Sequence, residues 1–143
     1  VNAWLYWTGA IPGDNDEGLI NIYKDTDTYQ LTKRYYAFGN YSKFVRPGCV
    51  RIGTEDRPMK DVYLSAYRNP ETGEFTVIAV NDHDSTAELN IVPEGFDSAS
   101  LTPYITNDSL NMEQGHDIVS ESGTFKVLLS SRSVVTFVGE KTI

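Results

Sequence analysis

Val62-Tyr63-Leu64-Ser65-Ala66-Tyr67, then Asn69-Pro70-Glu71-Thr72-Gly73, then Phe75-Thr76-Val77-Ile78-Ala79-Val80 is the stretch that decides the fold. Two short runs rich in β-branched and aromatic residues flank a cluster of turn formers, which reads as strand, turn, strand. The pattern extends in both directions. Upstream lie Val50 and Ile52, and downstream lie Leu89 to Val92, Leu101 to Ile105, Phe125 to Leu129 and Val134 to Val138. Turn clusters such as Asn81-Asp82-His83-Asp84 and Ser120-Glu121-Ser122-Gly123 punctuate them. From Cys49 onward the apolar period is 2, strands recur about every 8 to 14 residues, and no helix lies between them. The expectation is a mainly β chain built on an antiparallel β-sandwich, not a doubly wound sheet.

Ahead of Cys49 the period changes. The spacing predicts one helix over residues 27–46, with Asp27 as N-cap, Gln30 reaching back as a capping box, and Pro47-Gly48 as the stop. Leu31, Tyr35, Phe38, Ser42 and Val45 recur at helical spacing, joined by Tyr41 and Phe44, so one broad aromatic face needs a surface to cover it. Before the helix, Val1 to Trp7 reads as a short buried strand of the continuous kind. A polar loop, Gly9 to Gly18, and a second apolar segment, Leu19 to Tyr23, follow it. No internal repeat or low-complexity segment occurs.

At 143 residues and 16.0 kDa the chain has the size of one domain, able to bury roughly two thirds of its unfolded surface. Its 40% hydrophobic and 22% charged residues are ordinary globular composition. No apolar run approaches the roughly 20 residues that span a bilayer, and the start lacks a basic n-region and an apolar h-region. Neither a membrane protein nor a chain with its signal peptide attached is expected, and the missing initiator Met suggests a processed product or fragment. A formal net charge of -8 argues against partners that are nucleic acids or anionic lipids and fits neutral ones. Cys49 is the single cysteine, which excludes an internal disulfide and any multi-cysteine metal site.

Candidate chemistry is sparse. Asp14, Asp16 and Glu17 lack the glycine and distal Glu of a calcium loop and read as a solvated loop. His83 and His116 sit in separate polar turns without ligand-spaced partners, so no metal and no cofactor are expected. No Gly-x-Ser-x-Gly elbow surrounds any serine. Two glycosylation sequons occur, at Asn40 and Asn107, but nine Asn and 24 Ser or Thr give about 1.5 such matches by chance. Trp4, Tyr6 and Trp7 allow two readings: burial in the core, or flat rings that stack on a sugar.

The run Arg34 to Gly48 followed by Val50-Arg51-Ile52 resembles the last barrel helix and domain crossover of glycoside hydrolase family 30. Val62 to Tyr67, Val77 to Asn81 and Ser133 to Val138 resemble side-domain strands of the same family. The resemblance implies a parent with a (β/α)8 barrel and a β-sandwich, hydrolysing β-glycosidic bonds with retention through two Glu on barrel strands four and seven. It implies that residues 1–46 are the terminal strand, loop and helix of the barrel, with Ala3 to Trp7 as the eighth strand, and that residues 47–143 are the sandwich. The catalytic Glu pair then lies outside this sequence, and no catalytic residue is expected within it. Glu17 on its loop cannot stand in for two carboxyls about 5 to 5.5 Å apart.

By the same resemblance Trp7 matches the Trp that ends the eighth strand beneath the sugar, with Tyr6 a second substrate-binding candidate. Glucuronoxylanases of the family carry an Arg just after this strand, whereas Thr8 to Tyr23 contains no Arg or Lys. Xylan is the first choice of substrate; glucosylceramide and β-1,6-linked galactan or glucan are the other parent activities. The expected partners are polysaccharide through the parent enzyme, and either the missing N-terminal barrel portion or a second copy. Family members also draw part of the sandwich from the far N-terminus, so one strand is expected to be lacking. The implied location is extracellular. A free-standing carbohydrate-binding module and a purely structural or interaction domain are the rival readings.

Overall fold

The computed structural model describes residues 4–15, 17–96, 98 and 100–139. Two sheets form the sandwich. The larger runs in the order β10-β8-β12-β6-β5-β4, with β9 also paired to the outer edge of β8. Its strands are β4 (Val50–Ile52), β5 (Val62–Arg68), β6 (Phe75–Asn81), β8 (Ser100–Thr106), β9 (Asn111–Gln114), β10 (Ile118–Val119) and β12 (Ser133–Gly139). All its pairings are antiparallel. Facing it is a two-stranded sheet of β7 (Ala87–Ile91) and β11 (Phe125–Leu129). The seven strands expected after Cys49 are therefore present. The short strands β9, with one apolar residue, and β10, only two residues long, were not expected.

Alternation builds the core. On β11, Phe125, Val127 and Leu129 are buried while Lys126 and Leu128 face out, and β7 repeats this with Ala87, Leu89 and Ile91 inward. They meet Val62, Ala66, Phe75, Val77, Ala79, Val135 and Phe137 of the larger sheet. Strand β6 departs from alternation because it is covered on both sides: Phe75 to Ala79 are all buried. That is why it reads as a continuous apolar run.

The second cover is α1 (Lys33–Ser42), which lies over the opposite face of the sheet near β8, β9 and β12. Gly39 permits the approach: a Cβ there would stand 3.1 Å from Met112 Sδ. The helix is shorter than the expected 27–46. Thr28–Leu31 instead forms β3, hairpinned to β2 (Ile20–Tyr23), which pairs in parallel with β1 (Ala10–Pro12). Thr-Tyr-Gln-Leu has β-branched and aromatic residues that suit a strand once a partner edge exists. Asp27 is thus a turn residue with φ 51°, and Thr32 is the N-cap, its Oγ1 accepting from the Tyr35 amide. The Pro47-Gly48 stop is a turn, closed by the Cys49 amide donating to Arg46 O at 3.0 Å. Gly48, with φ 96°, supplies the left-handed residue that such a turn requires.

The expected buried strand over Val1–Trp7 is also corrected. Val1, Asn2 and Ala3 lie outside the described residues, and Trp4 to Trp7 form no strand. No described strand pairs with this segment, and Leu5 is 90% exposed. Without an edge to pair with, an apolar run cannot satisfy its backbone as a strand.

Candidate functional site

One buried polar amide fixes the geometry around α1. Asn40 is fully buried in the last turn of the helix. Its Nδ2 donates to Tyr104 O and Thr136 Oγ1, each at 2.9 Å, and its Oδ1 accepts from Thr106 Oγ1 at 2.6 Å. Thr136 Oγ1 returns a bond to the Asn40 carbonyl at 2.7 Å. These bonds join residues 64 to 96 positions apart and fasten the helix to the centre of the sheet. In the sequence Asn40 reads as the acceptor of the sequon Asn40-Tyr41-Ser42. The signal that it is a packing residue was its place within Phe38-Gly39-Asn40-Tyr41, on an otherwise apolar face. Asn107, the other sequon, is likewise engaged, donating to Ser130 Oγ and accepting from the amides of Ser109 and Leu110.

The aromatic residues divide. Trp4 is 66% and Trp7 86% exposed, so burial is corrected for Trp4. Tyr6 is half-buried and donates to Glu17 O at 2.9 Å. Phe38 gathers Trp4 at 5.4 Å and Tyr6 at 6.1 Å, centroid to centroid, and these contacts tie the segment to α1. Trp7 projects beyond the cluster, its indole open to solvent. Just past the end of the helix Phe44 packs on Tyr104 at 4.6 Å, with the Lys43 ammonium above both rings.

Asp16 lies outside the described residues, Glu17 is exposed, and Asp14 accepts a hydrogen bond from Tyr23 Oη. Elsewhere, Arg132 holds Asp84 below the usual carboxylate range and Lys126 does the same for Glu121. A general acid at neutral pH needs the opposite shift. Among the described residues no group of three His, Cys, Asp or Glu is placed to hold a metal. His83 Nδ1 accepts from the Ser85 amide, and the Ser85 hydroxyl lies 2.8 Å from the same nitrogen, closing a local turn.

Tyr23 is the titrating group with a consequence. Its bond to Asp14, with burial second, raises its pKa above the usual value near 10. The neutral phenol is the form that is bonded, so this contribution to stability is full below pH 10 and is lost as pH rises through the raised pKa. Phenolate absorbance should therefore show a late-titrating tyrosine that Tyr23→Phe removes; an unchanged curve would contradict the Asp14–Tyr23 bond.

A family model for the glycosyl hydrolase family 30 β-sandwich domain matches residues 48–137. Glucuronoxylanase XynC of Bacillus subtilis is 33% identical over 108 residues, covering 76% of this chain and 25% of that enzyme. Among solved structures, the catalytic domain of a family 30 xylanase C from Talaromyces cellulolyticus superposes with a TM-score of 0.78 at 28% identity, covering 95% of this chain and 30% of that one. A family 30 endoxylanase from Clostridium papyrosolvens gives 0.74 at 29% identity, covering 84% and 30%. The chain thus spans about a quarter of the curated relatives it matches. No helix among the described residues is long and apolar enough to cross a membrane.

Proposed function

The chain belongs to glycosyl hydrolase family 30, and we propose that it is the supporting C-terminal portion of a secreted, retaining, xylan-cleaving enzyme. In this reading residues 1–46 complete a (β/α)8 barrel and residues 47–143 form the sandwich that braces it. The general acid and nucleophile come from the rest of the barrel. Trp7 provides a stacking surface for one sugar, and Tyr6, held against Phe38 and Glu17, positions the segment that carries it. The observation that carries the reading is the buried Asn40. Trp4 and Tyr6 rest on Phe38, and two residues along the same helix Asn40 is bonded into the central strands. Position is thereby transmitted from sandwich to substrate segment through one rigid element. The relatives named as xylanases support xylan; the missing Arg or Lys after Trp7 argues against strict dependence on a glucuronic acid branch.

The partner is the N-terminal portion of the same enzyme. Strand β7 pairs with β11 on one edge and has no described strand on the other. Beside that edge runs an open groove of about 970 Å³, lined in part by Ile52, Leu64, Leu89, Val92 and Phe96. A strand from the N-terminal portion would pair with β7 and place its apolar residues into the groove. Produced alone, the 143-residue chain should associate through this edge and its exposed tryptophans, because unpaired edges beside apolar surface recruit other chains. Sedimentation should show a mass above 16.0 kDa that rises with concentration. A monomer at all concentrations, with every β7 amide protected from hydrogen exchange, would contradict an incomplete sandwich.

A further inference from the structure

We infer that Asn107 is an acceptor site for an N-linked glycan, and that Asn40, the other match to the same pattern, is closed to one in the folded chain. The pattern asks for Asn, any residue but Pro, then Ser or Thr, and both Asn107-Asp108-Ser109 and Asn40-Tyr41-Ser42 satisfy it. In sequence the two are equivalent. In the fold their side-chain amides are not.

A side-chain amide nitrogen carries two hydrogens, and glycosylation replaces one of them. At Asn40 both are used, one on Tyr104 O and one on Thr136 Oγ1. The side chain is fully buried, so a bulky, solvated sugar finds neither a hydrogen to replace nor room. At Asn107 one hydrogen goes to Ser130 Oγ at 3.0 Å, and the other is bonded to no described residue. Asn107 is half-buried in the turn that joins β8 to β9, where Asp108 and Ser109 are exposed. The bonds that shape this turn survive the modification. Asn107 Oδ1 accepts from the amides of Ser109 and Leu110 through an oxygen that the reaction leaves in place. The Asn107 backbone amide still donates to Leu110 O at 3.1 Å.

In the transfer, Asn107 Nδ2 forms a bond to the anomeric carbon of an oligosaccharide carried on a lipid diphosphate. The bond from that carbon to the diphosphate oxygen breaks, the lipid diphosphate leaves with the electron pair, and the displaced amide proton passes to a base of the transferase. Order of synthesis adds a second distinction. The partners that bury Asn40 lie 64 and 96 residues after it, so an emerging chain presents Asn40 before they exist. A chain modified there loses the bonds that fasten α1 to the sheet and does not enter the folded fraction. That the chain meets such a donor in nature rests on the secreted parent proposed above; the choice of Asn107 over Asn40 does not.

The test is secretion of the full 143-residue chain from yeast behind a leader peptide, followed by enzymatic deglycosylation and peptide mass mapping of the folded fraction. The deglycosylating amidase converts each occupied Asn to aspartate, so the map identifies the position. Conversion of Asn107 and an unconverted Asn40 are expected. Ser109→Ala, at an exposed position, removes the hydroxyl the transferase reads but keeps the amide that donates to Asn107 Oδ1, and should abolish the glycan. Ser42→Ala, which removes the other sequon, should leave it in place. A folded chain without a glycan at Asn107, or with one at Asn40, would overturn the inference. Either result would leave the xylan-cleaving parent standing, because the yeast host supplies both the donor and the transferase.

Discussion

Asn40→Leu is expected to destabilise the chain by about 3 kcal/mol, seen as a lower urea midpoint with an unchanged slope. Leucine matches asparagine in the number and branching of its side-chain heavy atoms, so the loss is not that of a cavity. It comes from three hydrogen bonds made by a fully buried side chain to Tyr104, Thr106 and Thr136. Their partners remain in a water-free interface, where an unpaired polar group costs about 1–3 kcal/mol. The melting temperature should fall by about 10 °C. Thr136→Val should be strongly non-additive with Asn40→Leu, because each removes a bond the other needs. A loss below about 1 kcal/mol would mean that apolar contacts alone hold the helix in place.

A second large effect is expected in the sandwich. Phe137 is 1% exposed on β12, at the centre of the larger sheet, whereas Leu128 on β11 is 69% exposed. Phe137→Ala should cost about 3–5 kcal/mol, the lost transfer energy plus a cavity that packed neighbours cannot fill. Leu128→Ala should stay within about 0.5 kcal/mol. Comparable losses in both variants would contradict the strand register, since a slip of one residue on β11 would exchange its inner and outer faces.

The sandwich was legible because period-2 alternation and turn clusters are local. Phe125-Lys126-Val127-Leu128-Leu129 tells its own inner face. Strand β6 was legible for a different reason, its unbroken apolar run, although nothing local said that α1 is its second cover. The small sheet was not legible: Thr28 to Leu31 also fit a helical stripe, and only the edge of β2 decided for the strand. The cap moved with it, from Asp27 to Thr32. Trp4 was misjudged for a related reason. An aromatic run reads as core, yet the surface that would bury it is not among the described residues. Asn40 was the least visible, since the meaning of a polar residue in an apolar setting depends on partners distant in sequence. For Asn40 those partners are 64 to 96 residues away.

We place both catalytic carboxyls of the proposed enzyme outside this chain, which then supports the chemistry without performing it. The most direct measurement is release of reducing ends from soluble xylan by the purified chain at high concentration. No turnover above a protein-free blank is predicted, at any pH where the chain stays folded. Hydrolysis that co-purifies with the folded chain and is abolished by substituting one of its own carboxylates would contradict it.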